Sequence, residues 1–179
     1  RVWVWNQGEQ ALVGYAFDEQ NNLTIRVLPI EDSMLGTVYY LTAASDKRLV
    51  IATDNGLRLV DVASGTLKRL GDFGDCKSYR AVFQDSQGKA WAACDTGSVF
   101  RRDTWMSDGV GTRLIDGISG RLLGFSESVS HVWYVDDSGV YGILHDSQVI
   151  DQFVSRRVLN VSDGFRPFLD KEGSLWVGS

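Results

Sequence analysis

The sequence has little of what builds metal centres, disulfide frameworks or membrane spans. Its 179 residues include only two cysteines, two histidines and two prolines. So few thiols and imidazoles leave little material for a metal site or a set of disulfides. We see no signal peptide and no apolar run approaching the roughly 20 residues of a membrane helix. A net charge of −5 without a basic run disfavours nucleic acid as a partner.

Aromatic residues and glycines are plentiful instead. Six Trp, eight Phe, six Tyr and nineteen Gly accompany a hydrophobic fraction of 44%. Such a composition belongs to a globular protein, and the glycines suggest many short strands joined by tight turns. We expect no cofactor.

An internal repeat organises the chain. Residues 85–94 (DSQGKAWAAC) match residues 170–179 (DKEGSLWVGS), and degenerate copies occupy 127–136 and 45–53. The anchor residues are Val50, Trp91, Trp133 and Trp176, at spacings of 41, 42 and 43. A further copy near residues 2–5 fits a slightly longer first unit.

Within each unit the apolar residues form bursts of strand length. The second unit predicts strands at 49–53, 57–60 and 66–70, and strand 79–84 then leads into the next anchor. Four strands in each period of about 42 residues, without a helix, are typical of a β-propeller blade. In the turn Asp-x-x-Gly, the carboxylate can accept backbone N–H groups while glycine supplies the positive φ.

The predicted fold is therefore all-β, with residues 1–179 forming a single β-propeller region. We label the strands of a blade A to D, from the central channel outward. The chain then begins with strands B, C and D of one blade, continues with three full blades and ends with strands A and B. We expect an arc of about four blades from a larger ring of seven or eight. The alternative is a closed four-bladed ring with a disulfide between its first and last blades, but Cys76 and Cys94 are not placed for that.

The two cysteines flank one predicted hairpin. They are 18 residues apart, and the register of strands 79–84 and 89–94 places Cys94 opposite Tyr79, with Cys76 just beyond. A disulfide there would suit an oxidising compartment. The other interpretation is two separate thiols, with Cys94 a small buried strand residue.

The repeat unit resembles the two-component regulator propeller repeat. Residues 170–179, with the preceding SDGF at 162–165, match that family best, and ATDNGLRLVD at 52–61 matches its second half. The resemblance implies the periplasmic or extracellular sensory part of an inner-membrane-anchored bacterial receptor, such as a histidine kinase, hybrid kinase or diguanylate cyclase. Several such propellers sense carbohydrate fragments. The membrane segment and the output kinase or cyclase would then lie outside this chain.

The ligand site is expected where the D-to-A connections meet one mouth of the channel. Arginines there could pair with sugar carboxylates or sulfates, and an aromatic ring could stack on a pyranose. The alternative is ordinary solvated or inter-blade arginines. The candidate ligand-binding residues are Tyr79, Arg80, Arg121, Phe165 and Arg166.

No catalytic or metal-binding residues are assigned. His131 and His145 fall in predicted turns without a partner set for catalysis. The first hypothesis is a non-catalytic sensor that binds a small molecule, with an oligosaccharide as the expected ligand. The second is a structural or protein-interaction propeller, and the third is a propeller lyase or glycosidase. Expected macromolecular partners are the remaining blades or a second copy, as in a homodimer.

Overall fold

A computed structural model describes residues 2–31, 35–45, 47–116, 122–129, 131–136, 139–144, 150–155, 168–169 and 175–176. Within these residues the chain forms seventeen strands in five antiparallel sheets. The first sheet is β1 (Val2–Asn6), β2 (Ala11–Phe17) and β3 (Leu23–Pro29). The second is β4 (Val38–Ser45), β5 (Arg48–Thr53), β6 (Gly56–Asp61) and β7 (Leu67–Arg69).

The later sheets continue the same pattern. The third is β8 (Tyr79–Gln84), β9 (Ala90–Cys94), β10 (Val99–Arg102) and β11 (Thr112–Ile115). The fourth is β12 (Leu122–Glu127), β13 (His131–Asp136), β14 (Gly139–Leu144) and β15 (Ile150–Ser155). The fifth pairs β16 (Phe168–Leu169) with β17 (Leu175–Trp176). Every sheet pairs its strands in chain order.

This order confirms the predicted arrangement of three strands, three sets of four, then two. The anchors Val50, Trp91, Trp133 and Trp176 each lie on the second strand of their sheet. Trp3 holds the matching position in β1, because Asn6 and Thr53 are each the last paired residue before a hairpin turn. The inner strands β4, β8 and β12 contact one another in sequence.

The core consists of layers between successive sheets. Leu12, Leu49, Ile51 and Val60 fill the layer between the first and second sheets. Between the third and fourth sheets, the fully buried Trp91 packs near Phe125, with ring centroids 6.4 Å apart. The large aromatic area explains why the repeat places a tryptophan on a strand with a neighbouring sheet on each side.

The carboxylate of Asp85 explains the Asp-x-x-Gly-x-x-Trp spacing. Its Oδ1 accepts the backbone N–H groups of Gln87 and Lys89, at 3.0 and 2.8 Å. Its Oδ2 accepts the indole Nε1–H of Trp91 at 2.8 Å. Gly88 closes the turn at φ +83°, a conformation that favours glycine. One side chain thus fixes both the hairpin turn and the anchor.

Candidate functional site

Three of the inner strands, β4, β8 and β12, carry a β-bulge near their first residue. The register shifts between Val38 and Tyr40 in β4, between Tyr79 and Ala81 in β8, and between Leu122 and Gly124 in β12. The extra residues are therefore at positions 39, 80 and 123. Bulges of this kind redirect a side chain and are common at the rims of β-structures and beside functional sites.

Two of these bulge residues contact each other across neighbouring sheets. The guanidinium carbon of Arg80 lies 3.9 Å from the ring centroid of Tyr39. Arg80 is exposed and Tyr39 is half-buried. We call Tyr39 and Arg80 the rim pair. Arg80 is thus exposed while its guanidinium carbon lies over an aromatic ring, as in a cation–π contact.

The loop before Tyr39 is fixed to the neighbouring hairpin turn. Asp54 Oδ1 accepts the backbone N–H of Thr37 at 2.9 Å, and Thr37 O accepts the N–H of Asp54 at 3.3 Å. Gly36 has φ +72° and its α-carbon abuts the Asp54 carboxylate, so a side chain at this position would clash. The ring of Tyr39 therefore projects from a backbone held on both sides of the bulge.

The expectation for Tyr79 needs correction. Its side chain is fully buried, and its hydroxyl accepts the backbone N–H of Phe73 at 2.9 Å. Burial raises the pKa of Tyr79 to about 12. A ligand at the rim cannot reach this residue, because the bulge directs its neighbour Arg80 outward and leaves Tyr79 in the core.

Tyr39, and not Tyr79, contacts Arg80, and the sequence contained a signal for Tyr39. Tyr39 lies 41 residues before Arg80, which is the spacing between Val50 and Trp91. The remaining candidates, Arg121, Phe165 and Arg166, lie outside the described residues, as does His145. Their role as ligand-binding residues stays a prediction.

The loop of residues 71–78, which we call the connecting loop, closes the space between the second and third sheets. A disulfide joins Cys76 to Cys94 in β9, with Cα atoms 6.0 Å apart and both residues buried. Arg102 donates to the carbonyls of Gly71 and Asp72. Arg113 pairs with Asp75 at 2.7 Å. A side chain at Gly74 would meet the ring of Phe100. The connecting loop is thus held by covalent, ionic and steric contacts.

Other site types are not found in the described part of the chain. There, no group of three or more His, Cys, Asp or Glu residues could hold a metal ion. His131 begins β13, and its ring lies 5.4 Å from that of Trp133. No helix among the described residues is long and apolar enough to cross a membrane.

Comparison with solved structures decides the fold. The extracellular domain of a Bacteroides thetaiotaomicron protein, assigned to a one-component or hybrid two-component system, superimposes with a TM-score of 0.63 at 16% identity. The match covers 98% of this chain and 27% of that one. The chain is an arc of a β-propeller. Its sheets are accordingly called blades below.

Two further structures are similar. A second extracellular domain of a B. thetaiotaomicron hybrid two-component system gives a TM-score of 0.58 at 16% identity, covering 100% of this chain and 28% of that one. Regucalcin, a calcium-binding protein of Agrobacterium tumefaciens, gives 0.62 at 21% identity, covering 98% and 62%. The chain thus spans less than two thirds of each. The resemblance to sensory propellers is confirmed at the level of fold.

Comparisons of the sequence alone found no match. No family model matches the chain, and no curated protein matches it.

Proposed function

We propose that this chain is the ligand-sensing propeller region of a membrane-anchored bacterial receptor of the two-component type. The region is non-catalytic and lies on the periplasmic or extracellular side. It binds a small molecule at the rim pair, and an oligosaccharide with acidic groups suits that pair best. Kinase or cyclase output, and the membrane anchor, belong to segments outside this chain.

The observation that carries the proposal is the contact between Tyr39 and Arg80. A planar guanidinium can donate two parallel hydrogen bonds to a carboxylate or sulfate. A tyrosine ring offers a flat apolar surface for a sugar ring, and the two groups already lie 3.9 Å apart on neighbouring inner strands. Because both project from bulges, the backbone and not the ligand sets their separation, which lowers the entropic cost of binding.

Two other findings support the cellular setting. The similar extracellular domains come from a one-component and a hybrid two-component system of Bacteroides thetaiotaomicron. A disulfide between two buried cysteines suits an oxidising compartment such as the periplasm. Neither finding identifies the ligand, so the oligosaccharide rests on the chemistry of the rim pair.

The test is a thermal-shift screen of the chain against matched neutral and acidic oligosaccharides, followed by calorimetry on any hit. Ligand at 100 times its Kd should stabilise the protein by about 2.7 kcal/mol. Arg80→Ala should weaken an acidic ligand at least tenfold. Arg69→Ala, at an exposed arginine on outer strand β7, should leave binding unchanged. The absence of any shift, or equal losses in the two variants, would contradict this site.

An alternative function is a protein-interaction scaffold. The exposed apolar side chains of the first blade favour it, because large exposed apolar surfaces mark interaction sites. Its partner would be the remaining blades or a second copy, as in a homodimer. Sedimentation velocity across a hundredfold concentration range distinguishes the cases: association without any ligand response favours the scaffold.

A further inference from the structure

The two members of the rim pair are held in place in different ways. In the second blade, Thr37 precedes the bulge, and its backbone N–H donates to Asp54 Oδ1 at 2.9 Å. Gly36 makes this contact possible, because a β-carbon at its position would clash with the Asp54 carboxylate. A carboxylate seated against a glycine therefore fixes the backbone that leads into Tyr39.

The third blade cannot use the same arrangement. The first paired residues of β4 and β8, Val38 and Tyr79, are 41 residues apart, so equivalent residues of the two blades differ by that number. Lys77 then stands where the second blade has Gly36. Its side chain occupies the position at which the second blade has room for a carboxylate. A different contact must hold the backbone before the bulge in β8.

The disulfide closes a short loop directly in front of Arg80. Cys76 is bonded to Cys94, and Tyr79 pairs with the same Cys94 in the strand ladder. Both ends of the segment 76–79 are therefore attached to one residue of β9. Arg80, the extra residue of the bulge, follows this closed segment immediately.

This double attachment fixes which residue of β8 is the extra one. A slip of β8 by one position against β9 would move Arg80 from the bulge into the ladder and point Tyr79 at the opposite face of the sheet. A covalent bond to β9 prevents such a slip. The nearby backbone hydrogen bond from Asp95 N–H to the Ser78 carbonyl is long, at 3.3 Å, and constrains the register much less.

The other contacts of the connecting loop hold its first half. Arg102 donates to two backbone carbonyls at the start of the loop, and Arg113 pairs with Asp75 at 2.7 Å. These contacts precede Cys76 and would keep the first half in place if the disulfide were opened. The disulfide ties the second half covalently, so its loss should be felt at the bulge.

We propose that the disulfide between Cys76 and Cys94 is the positioning element of Arg80, so that the rim pair forms only in the oxidised chain. Tyr39 keeps its place in either redox state, because a carboxylate holds its backbone. The consequence for binding rests on the proposed function. The oxidised chain selects acidic over neutral oligosaccharides, and the reduced chain loses that preference.

The first test needs no ligand. An aromatic ring shields nuclei above its plane, so the NMR signals of the Arg80 side chain should be shifted upfield, and Tyr39→Leu should abolish that shift. Replacing both cysteines by serine should abolish it too. Asp85→Asn, a destabilising change just beyond the other end of β8, is the matched control and should keep it.

Reduction of the natural chain gives the same comparison without a substitution. Dithiothreitol opens the bond by thiol–disulfide exchange: it supplies two electrons and two protons, yields two cysteine thiols and becomes a cyclic disulfide itself. It should abolish the Arg80 shift in the natural chain and change nothing in the serine variant.

A second pair of substitutions preserves burial in case the serine variant does not fold. Cys76→Leu with Cys94→Thr supplies the residues that the second blade has at the equivalent positions, the buried Leu35 and Thr53. This variant should fold and lack the Arg80 shift. A shift that survives reduction, or one that the control variant loses as fully, would overturn the proposal.

Calorimetry with a trimer of galacturonic acid and with neutral galactotriose separates this inference from the proposed function. The oxidised chain should bind the acidic trimer about tenfold more tightly than the reduced chain, because a paired guanidinium is lost on reduction. The affinity for the neutral trimer should change much less. Equal affinity of both redox forms for the acidic trimer would overturn the inference. Binding of neither trimer, with a redox-dependent Arg80 shift, would contradict the proposed site and leave positioning by the disulfide intact.

Discussion

Two blades present the same register positions in opposite environments. In the second blade, four apolar side chains that face the first blade are at most 3% exposed: Leu49, Ile51, Val60 and Val62. Their counterparts on the first blade lie on its outward face with exposures of 63, 47, 38 and 68%: Val2, Val4, Tyr15 and Phe17. The pairings of Leu49 with Val60 and of Val2 with Tyr15 establish this equivalence.

The difference shows that burial in this fold comes from the neighbouring blade and not from the sheet itself. Repeat proteins behave in this way because each unit contacts mainly the units beside it. Between the second and third blades the contact is closed further by the connecting loop, its disulfide and Arg102. The outward face of the first blade has apolar residues of the same kind but no described segment covering it.

The largest expected effect comes from placing a charge at equivalent positions of the second and first blades, one buried and one exposed. Val60→Asp buries a carboxylate without a partner and should cost more than about 3 kcal/mol of unfolding free energy, or prevent folding. Tyr15→Asp, at the equivalent open position, should change stability by less than about 0.5 kcal/mol and reduce self-association. Urea unfolding and sedimentation velocity measure the two effects.

Equal destabilisation by these two variants would contradict the difference between the two blades. It would mean that the outward face of the first blade is covered in solution. A gain in solubility for Tyr15→Asp with unchanged stability would instead support the exposure of that face.

The second prediction concerns the disulfide of the closed interface. Replacing both Cys76 and Cys94 by serine should lower the free energy of unfolding by about 3 kcal/mol, from the entropy of the freed loop. Reductant should have a similar effect on the natural chain and none on the double variant. Alkylation mass spectrometry before and after reduction establishes the bond itself. Free thiols in the untreated chain would contradict it.

The fold could be predicted from the sequence because it depends on local and periodic features. The turn chemistry of Asp85 and Gly88 fixes a hairpin, and the anchor spacing fixes the blade. The predicted bounds of a strand also agree closely with the observed ones: 49–53 was predicted, and Arg48–Thr53 is observed. Each of these features needs only a few neighbouring residues.

Arg80 was predicted as a candidate, but its contact with Tyr39 was not, because that contact depends on bulges. In a strand, side chains alternate between faces, and one extra residue reverses which of them face outward. Tyr79 and Arg80 are adjacent, and only the observed register shift after Tyr79 shows that Arg80 is the extra residue. The contact with Tyr39 also requires the two inner strands to be neighbours in space.

The third prediction compares the acidic residues that begin the repeat motif in the third and fourth blades. Asp85→Asn presents an N–H group where an acceptor is needed, so it should cost about 2 kcal/mol of unfolding free energy. Glu127 begins the same motif in the fourth blade, but its carboxylate accepts the backbone N–H and hydroxyl of Ser86. Glu127→Gln should therefore cost less, about 1 kcal/mol or below. Equal losses of unfolding free energy in the two variants, measured by denaturant unfolding, would show that the hydrogen bond to the buried indole of Trp91 adds no extra stability.

The smallest effect is a pH dependence at Tyr79 in the closed interface. Its pKa is raised to about 12 by burial, whereas an unfolded tyrosine ionises near its ordinary value of 10. The unfolded state therefore releases this proton first. The contribution of the neutral phenol to stability is complete below pH 10 and is lost as the pH rises from 10 towards 12.

Tyr79→Phe removes that titration together with the hydrogen bond from Phe73, at a cost of about 1 kcal/mol at neutral pH. The difference in unfolding free energy between the natural chain and the variant should narrow between pH 10 and 12, because lysine titration affects both alike. A pH-independent difference would mean that the phenol of Tyr79 reaches solvent, so that the interface between the second and third blades is as open as the outward face of the first.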